Sequence, residues 1–147
     1  MLPAPDRHAR HGHNTMDTNA LYVLLVEDNP VNLKLAKRIL EKLGCRVDTA
    51  ENGAVGVRMC AANRYDVVFM DCQMPVMDGW EATRRIRTQA TAEPRAPIIA
   101  VTANVLPDDR RRCFQSGMDD VIDKPLRPND FSDALARWCG HPRPIQA

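Results

Sequence analysis

Five polar residues of this 147-residue chain stand at or just after the ends of short segments that predict strands. The segments are 21–26, 66–70, 97–102 and 119–123, and their β-branched and other apolar residues are typical of strands buried in a sheet. The residues at their ends are, in chain order, Glu27, Asp28, Asp71, Thr102 and Lys124. Open α/β sheets bind their ligands at the carboxyl ends of strands, so these side chains are candidates for chemistry.

Their side-chain types indicate which chemistry. Three carboxylates in one place repel one another and raise each other's proton affinity. A divalent cation relieves that repulsion, and Mg²⁺ favours one or two carboxylates together with several waters and phosphate oxygens. Lys124 adds a mobile positive charge, and Thr102 adds a hydroxyl that can donate to a phosphoryl oxygen. With Asp71 as nucleophile, the set predicts a phosphoryl-transfer site that works by positioning and charge neutralisation.

The elements that must position these residues follow a strand–helix alternation. The predicted strands are 21–26, 45–50, 66–70, 97–102 and 119–123, and the predicted helices are 30–43, 53–62, 78–88, 107–115 and 128–139. Five such units predict an α/β fold with a parallel sheet, right-handed crossovers and helices on both faces. The carboxyl ends of all strands lie at one edge of a parallel sheet, so the five polar residues are expected to converge there.

Two of the predicted helices carry further patterns. The first has Asn29 as a predicted N-cap, Pro30 as its first residue and Gly44 as its end. Its predicted apolar stripe recurs every four residues, at Val31, Leu35, Ile39 and Leu43, with Ala36 and Leu40 beside it. The fourth helix, 107–115, is strongly polar and is expected to be solvated.

At this point the residues resemble the receiver domain of two-component response regulators, over about residues 21–139. The separations fit, with 43 positions from Asp28 to Asp71, 31 more to Thr102 and 22 more to Lys124. Four short sequence motifs are similar to those of the receiver modules of hybrid sensor histidine kinases: VEDNPVN (26–32), MDCQMPVMDG (70–79), TAN (102–104) and GMDD (117–120). The resemblance implies a flavodoxin-like, doubly wound (βα)5 three-layer sandwich, with its five parallel strands in the order 2-1-3-4-5.

The resemblance also implies what each site residue does. Asp71 is expected to accept a phosphoryl group from a partner's phosphohistidine. Asp28 and Asp71 are expected to ligate Mg²⁺ directly, together with the backbone carbonyl of Gln73, and Glu27 is expected to act through water. The module would catalyse its own phosphorylation and slow dephosphorylation, so we expect a phosphorelay signalling domain rather than a turnover enzyme.

The remaining implied roles concern the response to phosphorylation. Lys124 is expected to contact the phosphoryl group or Asp71, and Thr102 is expected to follow the phosphoryl group and begin a conformational switch. The family usually carries Tyr or Phe three positions before the lysine, as a ring that swings inward when the threonine moves. Here that position is Val121. We therefore expect a switch of modest amplitude and a monomer.

The expected partner is a histidine kinase or a histidine phosphotransfer domain. It is predicted to dock over residues 29–33 and the turn 124–126, since both flank the acceptor. Asn29, Asn32 and Pro125 are the candidate docking residues at that rim.

Composition bounds the other possibilities. The net charge of +1 gives no reason to expect nucleic acid or direct membrane contact, and no apolar run reaches the ~20 residues of a membrane span. Five scattered cysteines are typical of thiols in a reducing cytoplasm, for a free module or one within a membrane-anchored hybrid kinase. The predicted organisation is a disordered extension or linker over 1–20, a receiver domain over 21–139 and a flexible tail over 140–147. The histidines of the extension are not expected to bind metal.

Several alternatives stay open at this level. Asp71 could cap the helix after its loop, Asp28 could cap the first helix, Thr102 could be a turn residue and Lys124 a solvated lysine. A pseudo-receiver would fold in the same way and act only as a protein-binding module. An aspartate-nucleophile phosphatase would need a second acid where this chain has Gln73, and a flavodoxin-like FMN binder would place a phosphate against three carboxylates. A nucleotide hydrolase would need a GxxxxGK[ST] motif, which is absent.

Overall fold

A computed structural model of the protein describes residues 20–89, 95–103 and 106–140. Strands and helices alternate as predicted along these ranges. The strands are β1 (Tyr22–Val26), β2 (Arg46–Ala50), β3 (Val67–Asp71), β4 (Ile98–Thr102) and β5 (Asp120–Asp123). The helices are α1 (Pro30–Lys42), α2 (Gly53–Ala62), α3 (Gly79–Gln89), α4 (Pro107–Ser116) and α5 (Pro128–Cys139).

The element ends differ from the predicted ones by a residue or so, for identifiable reasons. Helix α3 begins at Gly79 rather than at Asp78, because the Asp78 side chain caps it and accepts a hydrogen bond from the Glu81 amide at 2.8 Å. Strand β3 extends through Asp71, which pairs in register with Val101 of β4. The acceptor candidate is therefore the last residue of a strand rather than the first residue of a loop.

The sheet confirms the expected topology. All four strand pairs are parallel, and the order is β2-β1-β3-β4-β5. The chain first crosses outward from β1 to β2 and then returns to β3 on the other side of β1. The strand order therefore reverses between β1 and β3, and the crevice outside their carboxyl ends is where such sheets bind ligands.

Alternate residues of the central strands feed two hydrophobic clusters on opposite faces of the sheet. Val23 and Leu25 pack with α1 and α5, where Phe69 and Phe131 meet edge to face with ring centroids 5.0 Å apart. Leu24 and Val26 pack on the other face, with Trp80 of α3. Because both faces are covered, the strand ends are held rigidly and can position side chains.

Helix α1 buries only part of its predicted apolar stripe. Asn29 caps it as predicted, accepting hydrogen bonds from the amides of Val31 (2.9 Å) and Asn32 (3.0 Å). The predicted stripe is not buried along its whole length, because Val31 is 75% exposed and Leu35 is 49% exposed. A spacing of four exceeds the 3.6 residues of a helical turn, so each step moves about 40° around the helix and the stripe leaves the core. Ala36 and Leu40 are the residues of α1 that are buried.

Some predictions concern residues outside the described ranges. These are the extension 1–20 except Ala20, the tail 140–147 except Gly140, and Asn104 of the TAN motif. Among the helices of the described ranges, none has the length and apolar character needed to cross a membrane.

Candidate functional site

The carboxyl ends of β1 and β3 bring three carboxylates together. Glu27, Asp28 and Asp71 each offer an oxygen, and these three oxygens lie within 4.8 Å of one another. Glu27 is 3% exposed and Asp71 is 4% exposed, whereas Asp28 faces solvent. Two carboxylates of the cluster are therefore buried and the third is open to solvent, an arrangement that suits a partly hydrated cation.

Lys124 enters this cluster from the loop after β5. Its Nζ lies 3.3 Å from Oε1 of Glu27 and 3.5 Å from Oδ2 of Asp71. Its backbone amide donates to the carbonyl of Thr102 at 2.9 Å, which fixes the lysine to the end of β4. The Lys124–Pro125 peptide bond is cis. The predicted convergence of Glu27, Asp28, Asp71 and Lys124 is therefore present in the structure.

Glu27 is more firmly held than sequence reasoning indicated. Its second oxygen, Oε2, accepts the backbone amide of Asn29 at 3.0 Å, while Oε1 faces Lys124. The glutamate is thus a direct partner of the lysine, a contact that the strand-end argument did not predict. Asn29 therefore stabilises two features, because its side chain caps α1 and its backbone amide orients the Glu27 carboxylate.

The loop after Asp71 presents the acceptor side chain. Asp71 Oδ1 accepts the backbone amide of Gln73 at 3.1 Å, which leaves Oδ2 toward Lys124. The alternative that Asp71 caps the next helix is wrong, because Asp78 makes that cap.

Gly79 was missed as a site residue. Its amide donates to the Cys72 carbonyl at 2.9 Å, and a Cβ at this position would overlap the carbonyl oxygen of Asp71. The signal that could have found it is its place as the first helical residue after a loop that returns to the strand end.

In the part of the chain that the structure describes, the cluster carries more negative than positive charge. Burial, followed by the neighbouring Glu27 carboxylate, raises the pKa of Asp71 to about 7, although Lys124 and the Gln73 amide act in the opposite direction. Lys124 lies within 4 Å of the two buried carboxylates, and the third carboxylate of the cluster, Asp28, is exposed. This arrangement of hard oxygen donors with an excess of negative charge fits a divalent cation such as Mg²⁺.

Thr102 and Val121, the predicted switch residues, lie on β4 and β5. Thr102 is the last residue of β4, is 2% exposed and pairs in register with Asp123. Val121 pairs with Ala100 and is partly buried, packing against the cluster that β-strand residues form with α2, α3 and α4. The valine therefore sits against the helical layer next to the site, with no aromatic ring at this position.

The predicted docking residues lie on the rim. Asn29 and Pro125 are exposed and Asn32 is partly exposed. Beside them, an open groove of about 360 Å³ lies along α1, lined by Pro30, Val31, Lys34, Leu35 and Arg38. The groove therefore has an apolar floor with basic side chains around it, adjacent to the carboxylate cluster.

The fold and this site define a class of small α/β modules that hold an acidic, cation-binding pocket and a lysine at the switch point of a 2-1-3-4-5 sheet. Residues 23–136 match the response regulator receiver domain. The chain belongs to this family.

Relatives and solved structures agree. The sensor histidine kinase GacS of Pseudomonas protegens is 35% identical over 141 residues, which is 95% of this chain and 15% of that kinase. The chain thus spans less than a sixth of that relative. The receiver domain of the sensor histidine kinase PA1611 from Pseudomonas aeruginosa, crystallised with a magnesium ion in its active-site cleft, is 45% identical with a TM-score of 0.77, covering 83% of this chain and 99% of that one.

A third similar structure is a complex. The receiver domain of the Saccharomyces cerevisiae response regulator Ssk1, crystallised with the histidine phosphotransfer protein Ypd1, is 29% identical with a TM-score of 0.75. The match covers 81% of this chain and 88% of that one. The resemblance to receiver modules of hybrid kinases is therefore confirmed.

Proposed function

We propose that this receiver accepts a phosphoryl group from a partner phosphohistidine onto Asp71, in a reaction that requires Mg²⁺. The observation that carries the proposal is the buried Asp71 carboxylate, whose Oδ2 faces Lys124 while Glu27 and Asp28 lie within 4.8 Å. In the transfer, an Asp71 oxygen bonds to phosphorus as the P–N bond of phosphohistidine breaks, and the electron pair returns to the imidazole.

The residues of this chain contribute mainly charge and position. Asp28, Asp71 and the backbone carbonyl of Gln73 would hold Mg²⁺, and Glu27 would act through a water of its shell. The cation supplies charge neutralisation for the phosphoryl oxygens. The Gln73 amide, which donates to Asp71 Oδ1, fixes the carboxylate plane. Lys124 is close enough to Asp71 to turn from the carboxylate to an incoming phosphoryl oxygen, and Thr102 supplies a hydroxyl at the neighbouring strand end.

The proposed partner is a histidine kinase or a histidine phosphotransfer domain. The α1 groove supports this proposal, since its apolar floor at Val31 and Leu35 and its basic Lys34 and Arg38 suit an amphipathic helix with acidic flanks. Asn29, Asn32 and Pro125 would form the rim nearest to Asp71. We propose that the module, residues 21–139, acts as a monomeric, cytoplasmic relay with self-directed transfer and autodephosphorylation and without turnover of a free substrate.

The test is phosphorylation by acetyl phosphate with and without Mg²⁺, read by intact mass and by peptide mapping. We expect a phosphoryl group on the wild type with Mg²⁺ and none on Asp71→Asn. Asp123→Asn is the matched control, because Asp123 is a carboxylate at the same sheet edge whose side chain is 55% exposed and pairs with Arg110. A phosphoryl group that persists on Asp71→Asn would overturn the assignment. A wild type that stays unmodified by both acetyl phosphate and a phosphohistidine donor would indicate a pseudo-receiver.

A further inference from the structure

Two buried thiols, one of them on the residue that follows Asp71, contact each other and have no part in the phosphoryl site. The Sγ atoms of Cys72 and Cys113 are 3.6 Å apart, and the residues are 0% and 1% exposed. Cys72 follows Asp71 in the chain, and Cys113 lies on α4, so the pair joins the acceptor loop to a separate helix. Neither thiol is in a disulfide.

The backbone on the Cys72 side is fixed. Its amide donates to the carbonyl of Val101 at 3.2 Å, and its carbonyl accepts the Gly79 amide at 2.9 Å. The α4 side is held by much less. In α4, which the structure describes in full, only Cys113 and Ser116 are buried. Apart from these two buried residues, Arg112 packs its guanidinium over the Trp80 ring at 3.9 Å, and Arg110 forms an exposed ion pair with Asp123 at 3.7 Å.

An element with so little buried surface opens locally at a lower free energy than the sheet beneath it. A small oxidant therefore reaches Cys113 through opening of α4, without unfolding of the domain.

We propose that Cys72 and Cys113 form a redox-sensitive dithiol that closes to an intramolecular disulfide with hydrogen peroxide as oxidant. The Cys113 thiolate attacks the O–O bond, which gives a sulfenic acid and releases hydroxide that is protonated to water. The Cys72 sulfur then attacks the sulfenic sulfur and expels a second water. Two thiols and one peroxide thus give one disulfide and two waters. The sulfurs must approach from 3.6 Å to about 2.05 Å, which a small shift of α4 toward the fixed Cys72 provides.

The consequence is a covalent link between the acceptor loop and α4. The disulfide would close a loop between positions 41 apart in sequence and so remove conformational freedom from the unfolded chain. It would also remove the freedom of α4 to move relative to Asp71. Oxidation would therefore stabilise the domain and hold the region next to the phosphorylation site in one arrangement.

The test uses the full chain with the three other cysteines replaced by alanine, at Cys45, Cys60 and Cys139, so that only the pair remains. After treatment with millimolar hydrogen peroxide and quenching, we expect an intact mass lower by two hydrogens and one tryptic cross-link joining the Cys72 and Cys113 peptides. The melting temperature should rise by roughly 5 °C or more and return after reduction. Cys72→Ala in the same background is the matched control and should give no cross-link and no reversible rise.

Several outcomes would overturn the proposal. One is formation of sulfinic acid without the cross-link. Another is that both thiols stay unchanged under conditions that oxidise the denatured chain, because inert thiols of a hydrophobic core would stay unchanged. If the triple alanine background does not fold, peptide mapping of the peroxide-treated wild type decides the same question. Asp71→Asn should form the disulfide as the wild type does, so a failure of the thiol proposal is distinguishable from a failure of the phosphorylation proposal.

Discussion

Lys124 forms an ion pair with Glu27 at 3.3 Å, although the two residues follow β5 and β1, strands separated in the sheet by β3 and β4. The lysine side chain is 21% exposed and that of Glu27 is 4% exposed, so the pair is largely screened from water. Among the residues that the structure describes, Lys124 is the cationic side chain within 4 Å of both Glu27 and Asp71. Its removal leaves these two buried carboxylates without a positive partner in that part of the chain.

We therefore predict that Lys124→Met lowers the free energy of unfolding of the metal-free protein at pH 7 by about 1–3 kcal/mol. Millimolar Mg²⁺ should restore part of this loss by mass action on the folded state, because the cation replaces the missing charge. Urea denaturation with EDTA and with Mg²⁺ measures both effects. Lys37→Met is the matched control, since Lys37 makes an exposed ion pair with Glu41 at 2.9 Å and should contribute less than about 0.5 kcal/mol. Equal losses in the two variants would contradict the prediction.

The raised pKa of Asp71 leads us to expect an unusual pH dependence of the free energy of unfolding in the metal-free protein. In the unfolded chain the Asp71 carboxyl loses its proton at about pH 3.9, whereas in the folded chain it keeps the proton up to about pH 7. Between these values the folded state binds more protons, so the free energy of unfolding falls as the pH rises from about 4 to about 7. Relative to Asp71→Asn, the wild type in EDTA should lose stability across this window in urea melts at stepped pH. A constant difference between the two proteins would contradict the raised pKa.

The same protonation competes with the cation. Below about pH 7, a proton must leave Asp71 before the carboxylate ligates Mg²⁺, so the apparent affinity for Mg²⁺ should fall toward tenfold per pH unit. Trp80 is buried one residue after Gly79, and its fluorescence is a suitable reporter for Mg²⁺ titrations at each pH. If the affinity for Mg²⁺ does not change between about pH 5.5 and about pH 8, the cation binds without displacing a proton.

Gly79 gives a steric prediction. A methyl group at this position would overlap the Asp71 carbonyl oxygen, so Gly79→Ala must displace either the strand end or the start of α3. We expect a loss of stability of about 1–3 kcal/mol, with slower phosphorylation by acetyl phosphate. Gly44→Ala is the control, because Gly44 has a φ of +93° but open space around its Cβ, and it should cost about 1 kcal/mol without slowing phosphorylation. Unchanged phosphorylation of Gly79→Ala would show that the loop adapts.

Sequence reasoning predicted the elements of the fold and most of the site, because parallel strands bring their carboxyl ends to one edge whatever the detailed packing. Asp71, Asp28 and Lys124 needed only that rule. It could not predict that Lys124 reaches Glu27, because such a contact depends on rotamers and loop geometry. The exposure of Leu35 was not predicted, because a four-residue repeat drifts around a helix. The approach of Cys72 to Cys113 depends on how α4 packs, which no local pattern encodes.

The docking surface gives a prediction that separates binding from chemistry. Asn32→Arg adds a long cation at the rim beside the α1 groove, away from the contacts of the carboxylate cluster. We expect transfer from a histidine phosphotransfer protein to slow by about tenfold or more, and acetyl phosphate to react at the wild-type rate. Arg58→Glu on α2 is a control on a helix that packs on the other face of the sheet. Equal slowing with both donors would mean that the variant damages the site.

The last prediction concerns what phosphorylation does to the rest of the molecule. Val121 packs against the helical layer next to the site and has no ring to move when Thr102 follows the phosphoryl group. To change a distant surface, the local event must bias a two-state element by a coupling of about 1–3 kcal/mol, and a valine has little rotamer freedom to supply one.

Helix α4 would have to form the responding surface. It is mostly polar as predicted, but Phe114 on the helix and Leu106 just before it are 48% and 63% exposed, so its solvated surface also carries two apolar side chains. Two separate apolar side chains among charged ones do not make the apolar core of a stable interface. We expect sedimentation to show a monomer at micromolar protein both with and without beryllofluoride, an acyl-phosphate mimic. Val121→Tyr is the informative partner variant, because it restores the ring at the switch position. A beryllofluoride-dependent dimer in the wild type would show that another element replaces the ring, and would remove the main support for a relay without a large conformational output.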